Sequence, residues 1–196
     1  MAFLIILRRV VLRLRLGAAA TARIVLLIML APGIAQAESV EYAVKAAYLY
    51  KFGIYVEWPA GAFSSPTAPL VLCVAGEDPF GPTLDAAVRG QHIDRHPIEV
   101  RRLKTVGRDS GCHILYLGFG DTQRTSQAEA ALKGTPVLTV GDARTGGGGL
   151  ITFVISDNRV RFDIDEEAAA RSGLIISSKL LSLALNVKAR PLGERH

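Results

Sequence analysis

Three short apolar runs constrain this chain more than any other feature. Residues 70–75 (Leu-Val-Leu-Cys-Val-Ala), 112–117 (Cys-His-Ile-Leu-Tyr-Leu) and 136–140 (Pro-Val-Leu-Thr-Val) each have the length of a strand. They are too uniformly apolar to leave one face in water, which marks interior strands covered on both sides. Between them lie helical segments, residues 83–88 closed by Gly90 and residues 122–133 closed by Gly134. A fourth segment, Ile98-Glu-Val-Arg-Arg-Leu103, alternates apolar and polar residues as a half-buried strand does. Strand alternating with helix predicts a parallel sheet with helices packed on its faces.

The style changes toward both ends. From Val40 the spacing predicts a helix with Val40, Ala43, Val44, Ala47, Tyr48 and Phe52 on its broad apolar side, Glu41, Lys45 and Lys51 on its polar remainder, and an end at Trp58-Pro59. Beyond the third run, Gly146 to Gly149 reads as a flexible connection. Residues 150–155, the turn Ser156-Asp157-Asn158 and the alternating Arg159-Val-Arg-Phe-Asp-Ile164 read as an antiparallel hairpin. Asp165-Glu166-Glu167 opens a helix, and Ser177 or Ser178 opens a last one, predicted to run buried through Val187. The fold expected is a single α/β domain: a mixed, mostly parallel sheet of five to six strands with a C-terminal antiparallel hairpin, flanked by helices.

Charge is unevenly placed. The chain holds 23 basic and 18 acidic residues, and the whole excess sits in residues 1–37 as Arg8, Arg9, Arg13, Arg15 and Arg23. A short apolar run, residues 24–31, follows, then Pro32-Gly33 and Ala35-Gln36-Ala37. That order is a Sec-type export signal with cleavage expected after Ala37, and the run is too short to span about 30 Å of hydrocarbon. The expected organisation is a signal peptide, residues 1–37, and an α/β domain, residues 38–196, in the periplasm. Without its leader the chain is neutral, which disfavours nucleic acid as a partner.

Cys73 and Cys112 are the only cysteines. In an oxidising compartment they are expected to form a disulfide, two buried thiols being the alternative. Catalytic apparatus is harder to find. Gly146 to Gly149 leads into a strand with no lysine near, unlike a phosphate-binding loop. Asp163, Asp165, Glu166 and Glu167 are dense enough for a cation, yet acids at a helix start complement its dipole, and the spacing of a calcium loop is absent. His92, His96 and His113 read as solvated loop residues rather than metal ligands. Ser177-Ser178 reads as a helix cap rather than a nucleophile. No catalytic residue, metal or cofactor is assigned, and the chain is expected not to be an enzyme.

The order of motifs resembles the YfiR family of exported bacterial proteins. It is carried by Val44-Lys-Ala-Ala-Tyr-Leu-Tyr-Lys-Phe52, Glu57-Trp-Pro59, Leu72-Cys-Val-Ala-Gly-Glu-Asp-Pro-Phe-Gly81, Cys112-His-Ile-Leu-Tyr116, Leu138-Thr-Val140, Gly148-Gly-Leu-Ile151, Val160-Arg-Phe-Asp-Ile164 and Ser172-Gly-Leu-Ile-Ile-Ser-Ser-Lys-Leu-Leu181. The resemblance implies a periplasmic regulator that represses an inner-membrane diguanylate cyclase, or a sensor kinase, by binding its periplasmic domain. It also implies a competing outer-membrane, peptidoglycan-associated lipoprotein and an output in cyclic-di-GMP signalling and biofilm formation, and it leaves a homodimer open. Cys73 and Cys112 match family positions that form one disulfide, whereas the second cysteine pair of the family's best-known member would fall near Thr145 to Thr152, where this chain has none. The partner surface implied lies on the hairpin and the following helix, at Ile151, Phe153, Asp163 and Arg171. The alternative is a periplasmic small-molecule carrier or minor hydrolase, with a pocket at the carboxyl ends of the parallel strands near Gly76 to Phe80 and Gly118 to Thr122.

Overall fold

A computed structural model of the chain describes residues 32–190. The arginines and the apolar run of the expected export signal lie outside the described residues, while Ala35-Gln36-Ala37 falls within the first helix, α1 (Pro32–Phe52). The body of the fold begins at Glu41.

The central sheet has eight strands in the order β11-β9-β8-β6-β5-β2-β4-β3. Its middle is a parallel block: β2 (Leu70–Gly76), β4 (His96–Leu103), β5 (Ile114–Gly118) and β6 (Leu138–Asp142), the strands of the expected alternation, and β8 (Ile151–Ser156), expected only as an arm of the hairpin. β9 (Arg159–Asp165) returns antiparallel to β8. The count exceeds the expected five to six because each edge carries a two-residue strand, β3 (His92–Ile93) and β11 (Val187–Lys188), too short to leave a periodic signature. A separate two-stranded ribbon pairs β1 (Val56–Glu57) with β10 (Ile175–Ile176).

Each face of the sheet has its own cover. α1 and α2 (Pro82–Val88) lie over one face, where Leu49 and Phe52 of α1 and Leu84 of α2 join Leu70, Leu72, Ile114, Leu138 and Val140. On the other face α3 (Thr122–Leu132) presents Ala128 and Leu132 to Val71, Cys73, Leu115 and Leu117. Asp121 caps α3 by accepting the Arg124 N–H at 2.8 Å, and Asp78 receives the Phe80 and Gly81 amides ahead of α2.

Three local expectations are corrected. Helix α1 stops at Phe52, not at Trp58, because a single turn at Gly53–Tyr55 buries Gly53 so closely that an added Cβ would lie 2.5 Å from the Ile93 side chain. The glycine run is not a slack connection. Gly147–Gly149 forms β7, packed so tightly that a Cβ on Gly148 would sit 2.5 Å from Thr125, and one on the facing Gly141 would sit 2.2 Å from the Gly148 carbonyl. The last helix, α5 (Ser178–Leu181), is one turn long, since the chain then pairs with β9 through the Leu185 N–H donating to the Phe162 carbonyl at 2.8 Å. A wholly apolar run does not by itself distinguish helix from edge strand.

Cys73, mid-strand in β2, is bonded to Cys112, just before β5, with Cα atoms 5.9 Å apart. The bridge closes a sequence separation of 39 residues on the α3 face, where the apolar cluster is the smaller of the two. Closing a loop of that length removes about 3–4 kcal/mol of disorder from the unfolded chain. The double variant C73A/C112A is therefore expected to unfold in urea with about 3 kcal/mol less stability and an unchanged secondary-structure spectrum. A loss below about 1 kcal/mol would show that packing under α3 holds that face unaided.

Candidate functional site

The β8–β9 hairpin stands at the end of the sheet remote from β3. Its turn has Asp157 at φ 50° and Asn158 at φ 56°, the left-handed pair that matches strand twist in a tight hairpin. Along both strands the residues alternate. Ile151, Phe153, Phe162 and Ile164 point into the core, where Phe162 lies 5.1 Å edge-on from Phe52 and Phe153 lies 5.7 Å from it. Tyr48 of α1 closes the same cluster, 5.8 Å from Phe162.

Beneath the hairpin sits a group that the periodicity of α1 misplaces. Lys45, assigned above to a polar face, is 0 % exposed and ion-paired to Asp142, which ends β6 and is 1 % exposed. The buried stripe of α1 is Lys45-Ala46-Leu49-Phe52, at helical spacing, with the lysine inside it. Glu41, one turn earlier, accepts from the Lys45 ammonium at 2.5 Å and from Arg144 at 2.7 and 2.8 Å. Asp142 also accepts the Arg144 amide at 3.0 Å, and the Lys45 ammonium lies over the rings of Tyr42 and Phe153 at 4.9 and 5.9 Å. The sequence signal was a lysine within an apolar i, i+4, i+7 stripe, facing an acid at i−4.

Above the core, the four residues placed on a partner surface divide into two kinds. Ile151 and Phe153 are fully buried and support the hairpin from within, so in this conformation they touch no partner. Asp163 and Arg171 lie at the surface. Asp163 accepts from the backbone and side chain of Asn186 at 3.1 and 2.9 Å and thereby holds the chain before β11 against β9. Arg171, at the end of α4 (Glu166–Arg171), pairs with Glu167 at 2.5 Å.

The acidic cluster is spent on structure. Asp165 caps α4 by accepting the Ala168 amide at 2.7 Å and pairs with Lys188 at 3.1 Å; Glu167 pairs with the same lysine at 3.0 Å. The hydrogen bonds to Glu167 and then Asp165 hold the Lys188 ammonium above its ordinary value, and Lys188 in turn lowers the Glu167 carboxyl. Among the described residues no three acids, histidines or cysteines gather as metal ligands would.

This edge of the sheet also carries an exposed apolar ridge: Ile155 on β8, Leu183 and Leu185 in the turn and bend after α5, and Val187 on β11 keep 38–52 % of their surface in water. Sequence reasoning missed this ridge because it read residues 179–187 as one buried helix.

At the strand-end crevice expected for a small ligand, β2 and β5 stay paired past their carboxyl ends. The Glu77 amide donates to the Gly118 carbonyl at 2.7 Å, and a Cβ on Gly118 would lie 2.1 Å from the Glu77 oxygen. A groove of about 680 Å³ lies elsewhere, at the amino end of β6 between α3 and α4, bordered by Glu129, Lys133, Asp165 and Arg171. Of the three histidines, His92 is exposed as expected, whereas His96 and His113 are half-buried and stack on opposite sides of Phe63, at 3.8 and 4.2 Å.

The sequence model of the YfiR/HmsC-like family matches residues 42–185, from the second residue of the fold body to the ridge. The chain belongs to the YfiR/HmsC-like family. The match takes in the buried ion pair, the disulfide, the hairpin and α4, so it covers most of the body of the fold and stops short of β11. No helix of the described residues is long and apolar enough to cross a membrane.

Removing Lys45 leaves Asp142 buried and unpaired, a change that costs about 3–5 kcal/mol. Lys45→Met is expected to lower stability in urea by that amount, and adding Asp142→Leu is expected to recover most of it. Equal losses for the single and double variants would mean that the pair is not the reason α1 sits as it does.

Proposed function

We propose that the chain is a periplasmic regulatory binding protein that inhibits an inner-membrane diguanylate cyclase or sensor kinase through the enzyme's periplasmic domain, coupling envelope or redox state to cyclic-di-GMP. Family membership supports a regulator rather than an enzyme. The observation that carries the partner reading is the exposed ridge of Ile155, Leu183, Leu185 and Val187, with charge supplied by Asp163 of β9 and Lys188 of β11 at the same edge of the sheet and by Arg171 at the end of α4. Apolar anchors inside a charged rim are how protein interfaces combine affinity with orientation. Ile151 and Phe153 take part from beneath, by fixing the hairpin's shape. A peptidoglycan-associated lipoprotein that relieves inhibition would compete for the same ridge, and with one disulfide any redox response runs through Cys73 and Cys112.

The test is binding and inhibition with a cyclase encoded beside this chain. Leu185→Asp and Arg171→Glu are each expected to weaken binding by about tenfold or more, equivalent to about 1.4 kcal/mol, and to raise cyclic-di-GMP in cells. Lys104→Ala, exposed and away from the ridge, serves as the control. Full inhibition by both ridge variants would overturn this placement of the partner.

A further inference from the structure

Residues 58–69 cross the amino ends of β2, β4 and β5 and are tied to them by two histidine rings. His113, preceding β5, donates from Nε2 to the Ala62 carbonyl at 3.1 Å and accepts the Val71 amide at Nδ1 at 3.0 Å. A carbonyl only accepts and an amide only donates, so these two bonds are both satisfied by one form, the neutral ring with its proton on Nε2. His96, opening β4, reaches the Ala68 carbonyl through Nδ1 at 2.6 Å. Phe63 is sandwiched between the two imidazoles, and Trp58 stands edge-on to Phe63 and to His113 at 6.1 and 6.3 Å.

We propose that this loop is a proton-operated latch: protonation of His113 sets N–H against the Val71 N–H, breaks the stack and frees residues 58–69 from the sheet while the rest of the fold stays closed. The charged groups facing the ring, His96 and Arg101 on β4, oppose its charge, and the Ala62 carbonyl favours it; Trp58 and Phe63 from the loop are uncharged, and β2 offers an amide donor. Arg101 is itself paired with Glu99, which lies on its own strand. A cation stacked on Phe63 offsets part of what a buried donor facing a donor loses. Desolvation, above all, holds the His113 ring below its ordinary 6.5, with His96 and Arg101 adding to it. Since the folded value is depressed, the contribution of this ring is complete above about pH 6.5 and is lost as pH falls through the lower folded value.

Trp58 is the only tryptophan in the chain, which supplies the readout. Its fluorescence and the amide-exchange protection of residues 62–71 are followed in the full chain from pH 8 to pH 5, beside far-ultraviolet circular dichroism. The expected result is a reversible fluorescence change with a midpoint below 6.5 and at least about a tenfold fall in protection confined to this segment, with dichroism unchanged. His113→Asn, whose carbonyl can accept the Val71 amide without titrating, is expected to abolish the fluorescence transition. His96→Gln removes a neighbouring charge and is expected to move the midpoint upward, which keeps the test decisive if the first variant does not fold. Flat fluorescence and protection in the parent chain would overturn the latch. So would a transition unmoved by His96→Gln, or loss of dichroism at the same midpoint.

Discussion

Lys45 and Asp142 decide how the rest of this molecule is arranged. A buried ion pair is poor at raising stability, since desolvating two charges offsets most of what their attraction returns. Its effect is to exclude alternatives: α1 can turn about its axis only by leaving both charges unpaired in an apolar interior. With that rotation set, Leu49 meets the parallel block, and Tyr48 and Phe52 meet Phe162, with Phe153 against Phe52. The hairpin is then held from below, and its surface inherits a fixed geometry. Arg144 and Glu41 extend the same network to the edge of the site, where water weakens it.

The two faces of the sheet solve the burial problem differently. On the α1 side, aromatic rings fill a deep layer around one ion pair. On the α3 side the helix approaches so closely that a side chain on Gly148 would collide with Thr125 and Glu129, Gly141 and Gly149 lie backbone against backbone, and a disulfide braces the shallower core. The glycines therefore serve proximity, with Glu129 of α3 accepting the Gly149 amide directly at 2.5 Å.

Much of this arrangement was legible beforehand. Segments with strong periodicity or uniform burial, namely the strands around Leu72, Leu115 and Val140, the hairpin and α3, fall where their patterns place them. The disulfide followed from two cysteines in adjacent buried runs. What escaped has a common cause, which is that partners distant in sequence settled the outcome. Lys45 is polar by type and buried only because Asp142, 97 residues away, receives it. The run from Lys179 to Val187 is helical by composition, yet it leaves the helix after Leu181 because β9 offers an edge to Leu185 and Val187. Ile151 and Phe153 resembled partner contacts by position, yet the alternation of β8 turns both inward, and the exposed ridge belongs to residues with no motif of their own.

The ribbon joining β1 to β10 has a consequence for the order of assembly. Val56 pairs with Ile176 and Glu57 with Ile175, while the aromatic cover of α1 comes from Phe153 and Phe162. The first helix of the body is thus left without its lid until the last quarter of the chain exists, and pairings of that span form late and slowly. A growing chain with this topology cannot close its α1 face until that quarter is made. A face left incomplete in this way favours passage through a narrow channel before folding.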